Sequence, residues 1–108
     1  LLGKELSTDR GYLLENVVYL ELIRRNNQVW VGKIDRLEVD FVVRTPEGYT
    51  QYIQVAQTLQ NPETLEIELK PFNKIADHHE KMIISMDYES GSFNGVKQIN
   101  IIDWLLGK

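Results

Sequence analysis

Three short β-rich runs, residues 28–34, 37–45 and 49–59, follow one another with only Asp35-Arg36 and Pro46-Glu47-Gly48 between them. Their β-branched and aromatic content, and the turn-forming residues that separate them, predict an antiparallel meander. This constrains the fold more than any other feature of the chain. Upstream, Thr8 or Asp9 is placed to cap a helix running to about Arg25, where Asn26-Asn27 stops it. Downstream, Asn61-Pro62-Glu63 begins a second helix with a capping residue and proline at its first position, and Pro71 predicts a break or kink before the segment resumes toward Ala76. Residues 81–87 then read as a buried strand, 91–95 as a loop, 96–101 as another strand, and 102–106 as a short amphipathic helix ending at Gly107. The expected order is α-β-β-β-α-β-β-α, an α/β fold with a mixed central sheet flanked by helices over residues 1–108.

Composition narrows the function classes. The 108 residues are 43% hydrophobic and 26% charged, the balance of a single globular domain rather than a disordered chain. There is no cysteine, so neither a disulfide nor a thiolate metal site is available; a soluble, cytoplasmic protein is expected. Apolar stretches are too short and interrupted to span a bilayer, and no membrane partner is expected. Sixteen acidic against twelve basic residues give a net charge of -4, which repels phosphate backbones as a whole. Arg24, Arg25, Lys33, Arg36 and Arg44 are candidates for a local basic patch, although scattered surface cations are the simpler expectation. The opening Leu1-Leu2-Gly3-Lys4-Glu5-Leu6 reads like the tail of an earlier element, so the chain is expected to be a C-terminal piece of a larger protein.

On a helical wheel Glu15 falls in an apolar arc with Gly11, Tyr12, Val18, Tyr19 and Leu22, whereas Glu21 lies with Arg10, Arg24 and Arg25 and is set to pair with cations three and four residues on. In the second strand strict alternation groups Leu37, Val39, Phe41 and Val43 on one face and Glu38, Asp40, Val42 and Arg44 on the other. In the third, Tyr52, Gln54, Ala56 and Thr58 lie together, and pairing of the two strands allows the faces bearing Asp40 and Gln54 to coincide.

Three blocks carry a family resemblance: Gly11-x-x-x-Glu15-Asn16 on the helix, Glu38-Val39-Asp40-Phe41-Val42 on the second strand, and Ile53-Gln54-Val55-Ala56 on the third. In order and character they resemble the C-terminal domain of unknown function that follows the P-loop module in many prokaryotic AAA-type ATPases, a domain similar to the restriction-endonuclease, or PD-(D/E)xK, fold. The resemblance extends through the closing residues 99–106. It implies a helix Glu, a strand Asp and a Glu-x-Lys on the next strand around a divalent ion that polarises phosphate and activates water. Glu15 and Asp40 match the first two positions. Gln54 stands where the second acid belongs, and Ala56 where the Lys belongs. A Gln amide oxygen ligates a hard cation only weakly, and Ala supplies neither charge nor proton, so Glu15, Asp40 and Gln54 would hold Mg²⁺ weakly and catalysis is not expected. Lys33 on the neighbouring strand is the candidate for a relocated cation; Gln57, on the opposite strand face from Gln54, is a poor substitute ligand.

His78-His79 follows Asp77 without a second ligand cluster nearby in sequence and reads as a polar loop. Tyr12, Tyr19, Trp30, Tyr49 and Tyr52 have spacings expected of core or boundary packing rather than of a base-stacking surface. The chain has no phosphate-binding Gly-x-x-x-x-Gly-Lys-Ser/Thr, so the resemblance places ATP and its Mg²⁺ in a missing N-terminal ATPase domain, itself the first expected partner. The expected function is a catalytically degenerate nuclease-fold accessory domain that binds a protein or nucleic-acid partner. The alternatives are an active metal-dependent nuclease using Glu15, Asp40, Gln54 and Lys33, and a purely structural or oligomerisation domain.

Overall fold

The meander forms as its turn residues dictate. In the computed structural model, which describes residues 9–34 and 36–107, β1 (Gln28–Ile34), β2 (Leu37–Arg44) and β3 (Thr50–Val55) pair antiparallel in succession. Gly48, at φ 95°, takes the left-handed conformation that closes the second turn, where the Thr45 and Tyr49 backbones bond across it. Helix α1 (Asp9–Arg24) precedes the meander. Thr8, the alternative cap, lies outside the described residues, as do the opening six residues of the chain.

Helix α2 (Pro62–Asn73) carries the chain over the sheet to β4 (Glu80–Ser85), which lies parallel to β3. Its start is the one expected: Asn61 Oδ1 accepts from the Glu63 amide at 2.8 Å, with Pro62 at the first position. The break at Pro71 does not occur. Pro71 falls in the last turn, where its missing N–H forgoes one ladder bond, and the helix continues to Asn73 before Lys74 caps it on the Pro71 and Phe72 carbonyls. The segment 91–95 is a hairpin rather than a loop. Gly91–Phe93 forms β5, the Asn94-Gly95 pair turns at φ 51° and 83°, and β6 (Val96–Asn100) returns antiparallel to β5 and parallel to β4. Asn100 then caps the closing helix α3 (Ile101–Leu105), its side-chain oxygen accepting from the Ile102 and Asp103 amides. The result is a mixed six-stranded sheet in the order β1-β2-β3-β4-β6-β5.

Helices cover both faces. On one side α1 and α3 bury Val18, Leu22, Ile101 and Trp104 against Phe41, Val43, Ile53, Val55, Met82 and Ile84. On the other, Phe72 of α2 packs with Val39, Ala56, Leu59, Ile83 and Val96. Val39 therefore does not share a face with Phe41 and Val43, contrary to strict alternation. The cause is a β-bulge. Trp30 pairs with Val42 and Gly32 with Val39, so Val31 alone faces both Asp40 and Phe41, and the extra residue in β2 turns Leu37–Val39 over. Gly32 is part of the device, because a Cβ there would meet Val42 Cγ2 at 2.5 Å and Val39 Cβ at 3.3 Å. No helix of the described residues is long and apolar enough to cross a membrane.

Candidate functional site

Antiparallel pairing of β2 with β3 ends at Phe41 and Ile53, so the next two residues, Asp40 and Gln54, stand where the ladder stops. Each supplies with its side chain what the backbone no longer provides. The Asp40 amide donates to Gln54 Oε1 at 2.7 Å, and the Val55 amide donates to Asp40 Oδ2 at 2.8 Å. The Gln54 amide group completes the set by donating from Nε2 to the carbonyl of Glu68, in α2, at 3.2 Å. All three side chains are buried: Asp40 is 4% exposed, Gln54 3% and Glu68 6%. A buried carboxylate and amide need such partners, and these are spent on joining two strands and a helix. Glu68 was not legible in the sequence, where it reads as one of three glutamates at ordinary solvent-helix spacing between Glu63 and Glu68.

The other matched positions gather at the same end of the sheet. Ala56 is 7% exposed and belongs to the apolar cluster under α2, its amide bonded to the Ile84 carbonyl. Lys33, exposed, pairs in register with Glu38 at the start of β2. Glu15 is half-buried on the stretch of α1 where Leu13, Leu14 and Val17 line a cavity of about 330 Å³ with Gln57 and Met86, beyond the ends of β3 and β4. The helix bearing Glu15 covers one face of the sheet, whereas the Gln54 side chain reaches the helix on the other. Among the described residues no three His, Asp or Glu side chains are grouped to hold a metal ion.

Elsewhere the polar side chains form separate clusters. Glu21 accepts from both Arg24 and Arg25, at 2.6 to 2.8 Å, as expected from its spacing, and these bonds, Arg24 first, pull its carboxyl down to about 2. At the opposite end of the parallel strands, Tyr52 donates to Asp77 Oδ2 at 2.6 Å and Lys81 Nζ sits 5.6 Å over the tyrosine ring. Partial burial, and then the Asp77 carboxylate, push the Tyr52 hydroxyl up to about 12. Burial works to raise Asp77 as well, but the Tyr52 hydroxyl, the His79 amide and Lys81 outweigh it and hold that carboxyl below its usual range. His78 and His79 are exposed beside this cluster, lining an open cavity of about 440 Å³ with Thr45, Glu47, Tyr49 and Glu80.

Two sequence expectations are corrected and one cluster was missed. Tyr12, Tyr19, Trp30 and Tyr49 are not core residues; they are 42% to 70% exposed, because Val18 and Leu22 turn α1 the other way and β1 lies at the sheet edge. The basic residues do not converge, since Arg24 and Arg25 are taken up by Glu21 and Arg44 lies at the far end of β2 from Lys33 and Arg36. The missed cluster centres on Asp87, whose carboxylate accepts from the Thr58 hydroxyl and the Leu59 amide, both at 2.7 Å, and from Gln98 at 3.2 Å. An isolated Asp after a strand carries no signal for such a knot; only the fold brings residues 58, 87 and 98 together.

The chain is 38% identical over 94 residues to an uncharacterized protein of Haemophilus influenzae, an alignment covering 86% of this chain and 22% of that protein. The chain thus spans about a fifth of the length of that relative. No family model matches it, and no solved structure does.

Proposed function

We propose that this chain is a catalytically degenerate module of the restriction-endonuclease-like class, acting as an accessory domain of a P-loop ATPase and binding a protein or nucleic-acid partner without cutting it. The observation that carries the proposal is the bonding of Asp40 and Gln54. A hydrolytic metal site needs carboxylate oxygens turned to the ion and a cation beside the attacking hydroxide. Here the Asp40 carboxylate holds the Val55 amide, the second-acid position is an amide tied at both ends, and the lysine position is an alanine packed in the core. The element order, with a meander followed by a helical crossover to a parallel strand, agrees with the nuclease-like reading. The link to an ATPase rests on the sequence resemblance, and the much longer Haemophilus relative is compatible with a multidomain parent. Net charge of -4 favours a protein partner over a broad grip on nucleic acid.

The test is incubation of the protein with plasmid, single-stranded and branched DNA, and with RNA, in Mg²⁺ or Mn²⁺. The expected outcome is no cleavage. Divalent-dependent cleavage that disappears in Asp40→Ala overturns the proposal and favours an active nuclease, with loss in Lys33→Ala identifying the relocated cation.

A further inference from the structure

One flank of the molecule is built of apolar side chains and an unpaired strand edge. Strand β1 has a strand neighbour on one side only, and Lys33 is its single charged residue. Its Val31 and Trp30 are each 52% exposed. Directly above lies the flank of α1 that carries Tyr12, Tyr19 and Ile23, 49%, 42% and 44% exposed. The orientation of this helix is fixed from both sides: Tyr19 stacks on Phe41 of β2 with ring centroids 6.1 Å apart, while Glu21 and Arg25 point the other way, toward α3. Between Tyr12 and Ile23 every exposed residue is uncharged. A solvated helix carries charges on its outer face, and an edge strand exposed to solvent is ordinarily guarded by them.

We infer that this flank is the interface of a symmetric homodimer, in which β1 pairs antiparallel with β1 of a second copy about a twofold axis near Val31, its central residue. The same patch must then satisfy itself, and it does so in both layers. The strand edge supplies donors and acceptors to an identical edge, so the sheet continues across the axis. With strands spaced about 4.8 Å apart, helices lying over β1 and β2 of each copy come to about 10 Å from one another, the ordinary distance for packed helices. Tyr19 and Ile23 then meet their counterparts above Val31. The five apolar side chains offer about 400 Å² per copy, and the strand edge with Asn16 and Leu20 brings the patch to about 700 Å², near the 800 Å² or so of a standard interface. This goes beyond the accessory-domain reading, which specifies no self-association.

The absence of cysteine provides a clean probe. Sedimentation equilibrium should show the protein dimerising in the micromolar range. Val31→Lys, which sets two ammonium groups against each other at the axis, should weaken the dimer at least about 100-fold; Leu13→Lys, on the outer crest of α1, should leave it unchanged. Val31→Cys, a small change that preserves the fold, should form a disulfide-linked dimer on mild oxidation, and Leu13→Cys should not. A protein that stays monomeric at about 100 μM overturns the inference and assigns the flank to a different partner. So does a dimer indifferent to Val31→Lys, or one lost equally in Leu13→Lys.

Discussion

Arg25 and Trp104 join the first helix to the last: the guanidinium carbon lies 4.5 Å from the centroid of the indole ring, and Nη2 of the same group donates to the Trp104 carbonyl at 2.7 Å. Trp104 itself is 7% exposed and Ile101 3%. Removing the indole opens a cavity in the layer shared by α1 and α3, so Trp104→Ala should cost about 3 to 5 kcal/mol, read as a fall in the urea midpoint at unchanged slope. Truncation after Asn100 removes Ile101 as well and should cost more; an unchanged melting temperature would show that α3 contributes nothing to the core.

Gln54→Glu tests whether the amide is held for its donor. A carboxylate still accepts from the Asp40 amide but can no longer donate to the Glu68 carbonyl, and it introduces a charge beside the Asp40 side chain in a buried position. The expected loss is about 1 to 3 kcal/mol. A neutral or stabilising result would mean that this bond does not join α2 to the sheet.

Ala56→Lys meets a different obstacle. The Ala56 methyl lies among Val39, Leu59, Phe72 and Ile83, with no room for an ammonium group except by displacing one of them. Overpacking and the desolvated charge together should cost at least about 2 kcal/mol. The double variant Gln54→Glu, Ala56→Lys restores the acid-x-Lys pattern, yet should approach the whole stability of a small domain in cost and should be assayed for folding by circular dichroism before cleavage is tested.

Glu21 gives the protein an acid limb. Its carboxyl is lowered from an ordinary value of 4.5 to about 2 by Arg24 and Arg25. A depressed folded-state value means the unfolded chain takes up the proton first as pH falls, so the stabilisation is complete above about pH 4.5 and is lost between there and about pH 2. Chemical denaturation across that window should show Glu21→Gln losing less stability than the parent protein, and the two curves should run parallel above pH 5 or so.

The sequence made the meander, both helix starts and the closing apolar segment legible because each depends on local signals: turn residues, an Asn cap, a proline at a first helical position. It also set Asp40 and Gln54 on adjacent strands. What it could not convey is the use of their side chains, since the point at which β2 and β3 part is decided by the packing of α2 and α1 on opposite faces. The hairpin at residues 91–95 is a different case, for Asn94-Gly95 is a recognisable turn signal and the strand before it is simply too short and polar to show a period. The exposed aromatics of α1 were misplaced because wheel position says which residues share a side, not which side faces the sheet.

The bulge in β2 means that this strand is written in two frames. From Phe41 onward odd-numbered residues face α1, whereas Val39 faces α2, and the change of frame occupies a single residue. Insertions and deletions near this point are therefore not equivalent. Deleting Asp40 heals the ladder and, by joining Val39 directly to Phe41, keeps Val39 on the α2 face; replacing it by any other residue keeps the extra position and removes only the bond to Val55. The register of this strand is thus encoded in residue count, and Asp40 is at once the added residue and the one whose carboxylate secures the place where it was added.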